Sequence, residues 1–372
     1  MKTRIIVAAV GALAAQGAFA QSNVTLYGLL DAGVSYVSNQ GGHSVVKFDD
    51  AIAVPSFIGF RGVEDLGGGT QAIFDLESQF SFGTGGMIPV PGSIFGRNAY
   101  VGLRDARWGT LTLGNQFDFM NDSLTMGGNV PGVLSGGLYN YPTGPFRGLN
   151  IPGNATSWSD WDRTGQEQVH NAVKYVSPEY GGFKAGAMYA FGGVAGDVHT
   201  GSAVSFGLNY NAGNFGAGAA YTEMRYAAST LATGLAVPDT TIRNWGVGAH
   251  YQFGPWRTVA DFTTVHNMEN GASVFQGSVG GLYSFTPAVT LGFQYTYLKG
   301  NQVVNDNHAN QFGATLNYAF SKRTIVYLAG IYQITNSGAN ALVNGIYNTD
   351  PDTDESSGRT QAIVRVGMRT MF

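Results

Sequence analysis

The chain has 372 residues with 24 Asp+Glu against 20 Lys+Arg, no cysteine, 55 glycines, and 12 % charged beside 13 % aromatic residues. The acidic balance leaves no basic patch for nucleic acid, the missing cysteine rules out disulfides, and low charge with abundant Gly, Tyr and Phe is unlike a disordered chain. Charged residues at about half the usual share suit a surface that faces something other than water.

In chain order, the first segment is MKTRIIVAAVGALAAQGAFA. Lys2 and Arg4 precede an apolar run and the small-x-small triplet Ala18-Phe19-Ala20, the layout of an export signal peptide. Residues 1–20 are therefore excluded from the fold, and residues 21–372 form one domain. Losing Lys2 and Arg4 leaves 18 basic residues against 24 acidic ones, a balance of -6. No later apolar run reaches the ~18 residues of a membrane helix.

From Asn23 onward the period is two. NVTLYGLLDAGVSYV puts Leu26, Leu30, Val34 and Tyr36 on one face and Thr25, Tyr27, Asp31 and Ser35 on the other. The same rhythm returns in SFIGFRG, QAIFDLESQF, RNAYVGLRD, GTLTLGNQF, NAVKYVS, FKAGAMYAF, SAVSFGLNYNAG and FGAGAAYTEMRY. It continues through IRNWGVGAHYQFG, WRTVADFTTVHN, SVFQGSVGGLYSF, AVTLGFQYTYLKG, QFGATLNYAFSK and RTIVYLAGIYQITN to RTQAIVRVGMRTMF. That makes sixteen strands. Tight turns at EDLGGG, RDARWG, SPEYGG, NAGN, FGPW, FTPA and FSKR alternate with longer polar segments at about 39–55, 81–95, 119–166, 193–201, 227–241, 267–272, 300–307 and 337–360. The pattern predicts an up-and-down meander with both termini on the short-turn rim.

A soluble sandwich shows the same alternation strand by strand, but it would carry charge on its outer positions. Here one face is apolar and the other small or polar. In lipid an unpaired strand edge costs several kcal/mol per orphaned backbone group, so the first and last strands must pair. The reading is an all-β, 16-stranded antiparallel transmembrane β-barrel. Val364, Val366 and Met368 then meet lipid, Phe372 joins the rim aromatics, and Arg365 and Arg369 point inward.

The segments QSNVTLYGLLDAGVSY, GFRGVEDLGGGTQAIFDLE and NAVKYVSPEYGGFKAGAMYAFG, in that order, with the terminal Phe372, resemble the general diffusion porins of Gram-negative outer membranes, in their betaproteobacterial branch. The resemblance implies a homotrimer in the outer membrane, embedded in lipid and lipopolysaccharide. It implies passive flow of ions and small hydrophilic solutes, and a terminal Phe372 that is read by the barrel-insertion machinery. It also implies that the long segment 119–166, loop 3, folds into the lumen and narrows it; an outward surface loop is the alternative. Carried over by position, the basic wall residue of strand 4 is Arg97 and the acidic one of strand 3 is Glu77. The expected basic positions on strands 2 and 6 hold Phe57 and Gln168, which are neutral.

Parity adds Arg61, Lys174, Arg365 and Arg369 as basic lumen candidates and Asp31, Asp75 and Asp261 as acidic ones. The long segment adds Asp118, Asp122, Asp160 and Asp162. A thinned basic ladder and a balance of -6 predict weak selectivity toward cations. A substrate-selective channel for sugars or anions is the alternative, hinted at by Trp158 and Trp161. No G-x-S-x-G, H-E-x-x-H or P-loop motif is present, so no enzyme and no cofactor are expected. The six histidines suit no metal site, and DPDTDE, Asp350–Glu355, lacks the Gly and Glu of a calcium loop.

Overall fold

The structure is a computed structural model that describes residues 23–88, 92–152, 160–165, 167–230, 234–343 and 354–372. The signal segment lies outside the described residues. Sixteen staves run antiparallel: β1 (Asn23–Gln40), β2 (His43–Asp50, then Phe57–Asp65), β3 (Thr70–Phe80) and β4 (Asn98–Asp105). β5 (Gly109–Phe117), β6 (Gln168–Val176), β7 (Phe183–Ala190), β8 (Ala203–Ala212), β9 (Phe215–Tyr226) and β10 (Thr240–Phe253) follow. β11 (Trp256–Asn267), β12 (Ser273–Ser284), β13 (Val289–Gly300), β14 (His308–Ala319), β15 (Thr324–Thr335) and β16 (Thr360–Met371) complete the cylinder. Each stave pairs with its neighbours in sequence, and β16 closes on β1 from Leu29↔Met371 to Val37↔Ile363. Gly28 and Phe372 exchange both backbone hydrogen bonds at 3.1 Å, so pairing continues to the final residue.

The period-two pattern sorts side chains as expected. On β16, Val364, Val366 and Met368 are exposed, whereas Ile363 and Arg365 are buried. On β1, Leu26 and Val34 lie on the exposed face, with Asp31 and Ser35 buried opposite them. The exposed face is apolar because its solvent is hydrocarbon, and the inner face carries the polar groups.

The expected loop 39–55 is instead largely strand. β1 and the first part of β2 form a hairpin that turns at Gly41 and Gly42, both at positive φ (60° and 97°). The irregular stretch is confined to residues 51–56, where Ala51 at φ 64° breaks β2. The Gly-Gly pair supplies the left-handed turn, and the V-V-K-F alternation after it continues the strand. Two smaller pairings fall within predicted loops: Met87–Ile88 extends the β3 edge, and Ser229–Thr230 pairs with Ala236–Val237.

Stave height is uneven. β4 to β7 have 8, 9, 9 and 8 residues. β9 has 12, β10 has 14, and β16 has 12.

Candidate functional site

A cavity of ≈ 340 Å³ opens on the inner faces of β3 to β6, lined by Asp75, Glu77, Arg97, Tyr100, Asp122 and Lys174 among others. Alternation aims Asp75 and Glu77 inward from successive inner positions of β3. Arg97 directly precedes β4, and its Nε lies 2.9 Å from Glu77 Oε2. Its Nη1 donates to Gln79 Oε1 at 3.1 Å. The guanidinium lies between the rings of Phe57 (4.9 Å) and Phe117 (5.2 Å). The Tyr27 hydroxyl, with one proton to give, lies 2.5 Å from Asp75 Oδ1 and 2.8 Å from Glu77 Oε1. Asn98 Nδ2 donates to Glu77 Oε2 at 2.9 Å.

Lys174 on β6 donates to the Phe117 carbonyl at 2.8 Å and to Asp122, and its Nζ lies 5.0 Å from the Phe119 ring centroid. Arg61 stacks on Tyr27 at 4.9 Å and is exposed. Each buried cation of this wall thus has a carboxylate partner, the arrangement that makes burial of charge tolerable.

The long segment between β5 and β6 is ordered through most of its described length. A π-helical turn (Met120–Thr125) is followed by short 3-10 turns at Pro131–Leu134, Gly137–Asn140 and Arg147–Leu149. Several of its hydrogen bonds run to strand residues of the buried parity. Phe119 N donates to Ser205 Oγ at 3.0 Å, and Gly136 N donates to Thr315 Oγ1 at 2.6 Å. Gln311 Nε2 donates to the Tyr139 carbonyl at 3.3 Å, and Asn244 Nδ2 donates to the Trp161 carbonyl at 2.8 Å. Leu138 N donates to the Ile52 carbonyl at 2.7 Å, so the break in β2 is a docking point for the segment.

Glycines make these approaches possible. A Cβ at Gly207 would overlap the Phe119 ring, one at Gly218 the Ser123 carbonyl, one at Gly248 the Asn129 carbonyl, and one at Gly292 the Leu134 carbonyl. These glycines sit on the inner parity of β8, β9, β10 and β13 and form a track along the wall. Backbone can lie there only because no side chain intervenes.

Asp118 accepts from the Met120 and Asn121 amides at 3.0 and 3.3 Å and pairs with Arg163. Asp160 accepts from Gly165 N at 2.9 Å. Burial raises its carboxyl well above the usual range, and Asp162 and Glu167 push the same way. Burial also raises Asp162, against hydrogen bonds from Thr263 and Thr164. Asp160 and Asp162 are therefore packed loop carboxyls, away from the β3 to β6 cavity; Asp162 meets Thr263 Oγ1 at 2.6 Å and Gln276 Nε2 at 3.3 Å. Asp261 is tied to Gln276 (2.8 Å) and Ser278.

A second cluster sits at the β1–β16 seam. Arg365, fully buried, donates from Nε to Tyr327 OH at 2.8 Å and from Nη1 to Ser35 Oγ at 3.2 Å. It lies 3.6 Å from Asp31 and 3.8 Å from Asp49. Tyr139 of the long segment reaches the same cluster through Asp49 and Ser35. Arg369 stands opposite Asp31 in the β1–β16 register and lines a small space with Thr315, Asn317 and Tyr327, without an ion pair to the cluster's carboxylates.

The structure thus gathers Arg97, Glu77, Asp75, Asp122 and Lys174 around one space, with Phe57 beside Arg97. Gln168 departs from expectation. An extra residue on β6 at Asn171 (φ 54°), between the pairs Gly114↔Ala172 and Gln116↔Val169, shifts the parity of β6. Buried Val169 pairs with Gln116, and Gln168 pairs with Phe117 without lining the β3–β6 cavity. Trp158 and Asp350 to Thr353 lie outside the described residues; Glu355 pairs with Arg147. Among the described residues no cluster of His, Asp and Glu converges as a metal site. Sequence reasoning missed Tyr27, Asp49, Tyr139 and the glycine track. Glycines recurring at inner parity on successive strands were the available signal for the track.

Comparison with known proteins agrees with this architecture. The family model for Gram-negative porins matches residues 7–339. Outer membrane porin protein 32 of Delftia acidovorans is 30% identical over 100% of both chains. An outer membrane porin protein of Bordetella pertussis is 30% identical over 68% of this chain and 66% of its own length. Among solved structures, an anion-selective porin from Comamonas acidovorans superposes with a TM-score of 0.75 at 24% identity, covering 95% of this chain and 100% of that one. OmpT of Vibrio cholerae, solved in a trimer form, gives 0.65 at 16% identity, covering 94% of this chain and 99% of that one. A closed sixteen-stave barrel with an apolar exterior, matched over most of its length to this family and to these relatives, leaves one conclusion: the chain belongs to the Gram-negative porins, channel proteins of the outer membrane rather than enzymes.

Proposed function

We propose that this porin is a passive diffusion channel for ions and small hydrophilic solutes, with residues 119–152 lying across the bore and a weak preference for cations. The glycine track carries the reading: a wall stripped of side chains where the segment's backbone passes supports a loop held inside the cylinder. The free passage is then the cavity between β3–β6 and the segment, where Asp75, Glu77 and Asp122 face Arg97 and Lys174. Three carboxylates against two cations, each cation already matched, give a mixed transverse field with a small negative excess. Reversal potential across a salt gradient in a planar bilayer tests this, and a cation-directed value is expected. Lys174→Gln should raise the cation-to-anion permeability ratio severalfold, because it frees Asp122. The Comamonas neighbour is an anion-selective porin, and an anion-directed potential in the wild type would establish that selectivity here instead.

The same reading assigns self-association. Staves of 8 residues at ~3.3 Å per residue and ~45° tilt rise only about 19 Å, short of the ~25 Å apolar band. The β4–β7 wall therefore needs protein cover, which identical copies supply in a trimer. Unheated protein in dodecyl sulfate gels should migrate as a trimer and collapse to monomer on boiling. A monomer band at every temperature, with conductance retained, would refute the trimer.

A further inference from the structure

A guanidinium is a flat cation with its donors around the rim and two bare faces, and aromatic rings cover such faces well. At Arg97 both rim and faces are occupied. Its Nε lies 2.9 Å from Glu77 Oε2, and Nη1 donates to Gln79 Oε1 at 3.1 Å. The guanidinium lies between Phe57 and Phe117, with Cζ 4.9 and 5.2 Å from the ring centroids. Arg97 is only 6% exposed although it lines the β3–β6 cavity. We propose that Phe57 is a selectivity-determining residue of the bore, acting by holding Arg97 closed to passing anions. This rests on the proposed role of that cavity as the conducting path.

The two rings are not equivalent. Phe117, the last residue of β5, is buried, whereas Phe57, which opens the second part of β2, is half-buried. Phe57 is therefore the ring that separates Arg97 from open space. Tyr27 of β1 sets its orientation, edge to face with centroids 5.8 Å apart, and Tyr27 in turn carries Arg61 at 4.9 Å. Arg61, Tyr27, Phe57, Arg97 and Phe117 thus form one continuous stack along the wall. Every member belongs to a stave or directly precedes one, so the stack does not depend on the course of residues 119–152.

The sign of the effect follows from what else holds each partner. Glu77 accepts from Asn98 Nδ2 at 2.9 Å and lies 2.8 Å from the Tyr27 hydroxyl, so it has neighbours besides Arg97. Arg97 sits on a long flexible side chain whose plane the two rings fix. Loss of the Phe57 ring admits water to one face, weakens the attraction to Glu77 as the local dielectric rises, and lets the rim turn toward the cavity. The main change is a cation newly presented to solutes. Phe57 acts through Arg97 and is in that sense a positioning residue.

Reversal potentials across a potassium chloride gradient in planar bilayers test this. Phe57→Ala should lower the potassium-to-chloride permeability ratio about threefold or more, because an uncovered charge biases ion flow. Phe57→Tyr, which keeps the ring, should retain the wild-type ratio. In an Arg97→Gln background the further change Phe57→Ala should leave the ratio where Arg97→Gln alone puts it, an outcome that simple widening of the bore would not give. Equal ratios in wild type and folded Phe57→Ala, or the same shift with and without Arg97, would overturn the assignment. Should Phe57→Ala fail to fold, as judged by the heat-dependent gel shift, the ringless, β-branched Phe57→Val takes its place with the same expectations. The wild-type sign tests the proposed cation preference, whereas the difference between variants tests Phe57, so either can fail alone.

Discussion

Replacing Arg365 with Leu is expected to destabilise the barrel by about 3–5 kcal/mol, the cost of leaving buried Asp31 without its cation, whereas Asp49 keeps Lys47 at 3.6 Å. Arg365 is fully enclosed, and Asp31 and Asp49 lie 3.6 and 3.8 Å from it, themselves closed to solvent. Leucine fills the volume but removes every donor to Tyr327, Ser35 and the Asp49 carbonyl. Because the cluster joins β1, β16 and Tyr139 of the long segment, the damage falls on the closure itself. Urea titration read by the heat-dependent gel shift should show the unfolding midpoint move down. Adding Asp31→Asn to Arg365→Leu should recover part of the loss, since it removes one stranded charge. A midpoint equal to wild type would show that the cluster is solvated and carries no such coupling.

The second large effect is on conductance. Leucines at Gly218 and Gly292 would occupy the space now held by the Ser123 and Leu134 carbonyls. Both are rigid backbone positions, so the wall cannot absorb the overlap by a rotamer change. The segment must lift from its track, and single-channel conductance is expected to rise severalfold with noisier openings. Gly330→Ala supplies the control: no atom lies within 4 Å of a Cβ there, and conductance should not change. Wild-type conductance in a folded Gly218→Leu/Gly292→Leu barrel would place the segment elsewhere and remove the basis for the proposed constriction.

Fold and site were not equally legible. Alternation alone placed all sixteen staves, because a membrane barrel repeats one physical demand on every strand: apolar out, polar in. The terminal run from Ala362 to Phe372 carried the closure as well, since its apolar parity has no other solvent to meet. The Gly41-Gly42 hairpin was missed because His43, Ser44 and Lys47 make the upper half of β2 look polar, although its pairing to β1 continues. Gln168 shows the limit of parity. One extra residue at Asn171 gives Gln168 the opposite register parity to Lys174 on the same strand, and a bulge leaves no mark in a hydropathy pattern. The pairing of Arg97 with Glu77 could be anticipated from adjacent strands, but the link from Lys174 to Asp122 depends on the path of a segment with no period at all.

The glycine track has a consequence for how such a channel changes over time. At Gly218, Gly248 and Gly292 its grip depends on an absence, room for a main-chain carbonyl, so at those three points it is indifferent to which residue rides there. A replacement insert of matching length and course would seat on the same rail and bring its own charges to the passage. On the proposed path of the segment, selectivity becomes a cassette property, exchangeable without redesign of the cylinder, while the rail tolerates almost no enlargement.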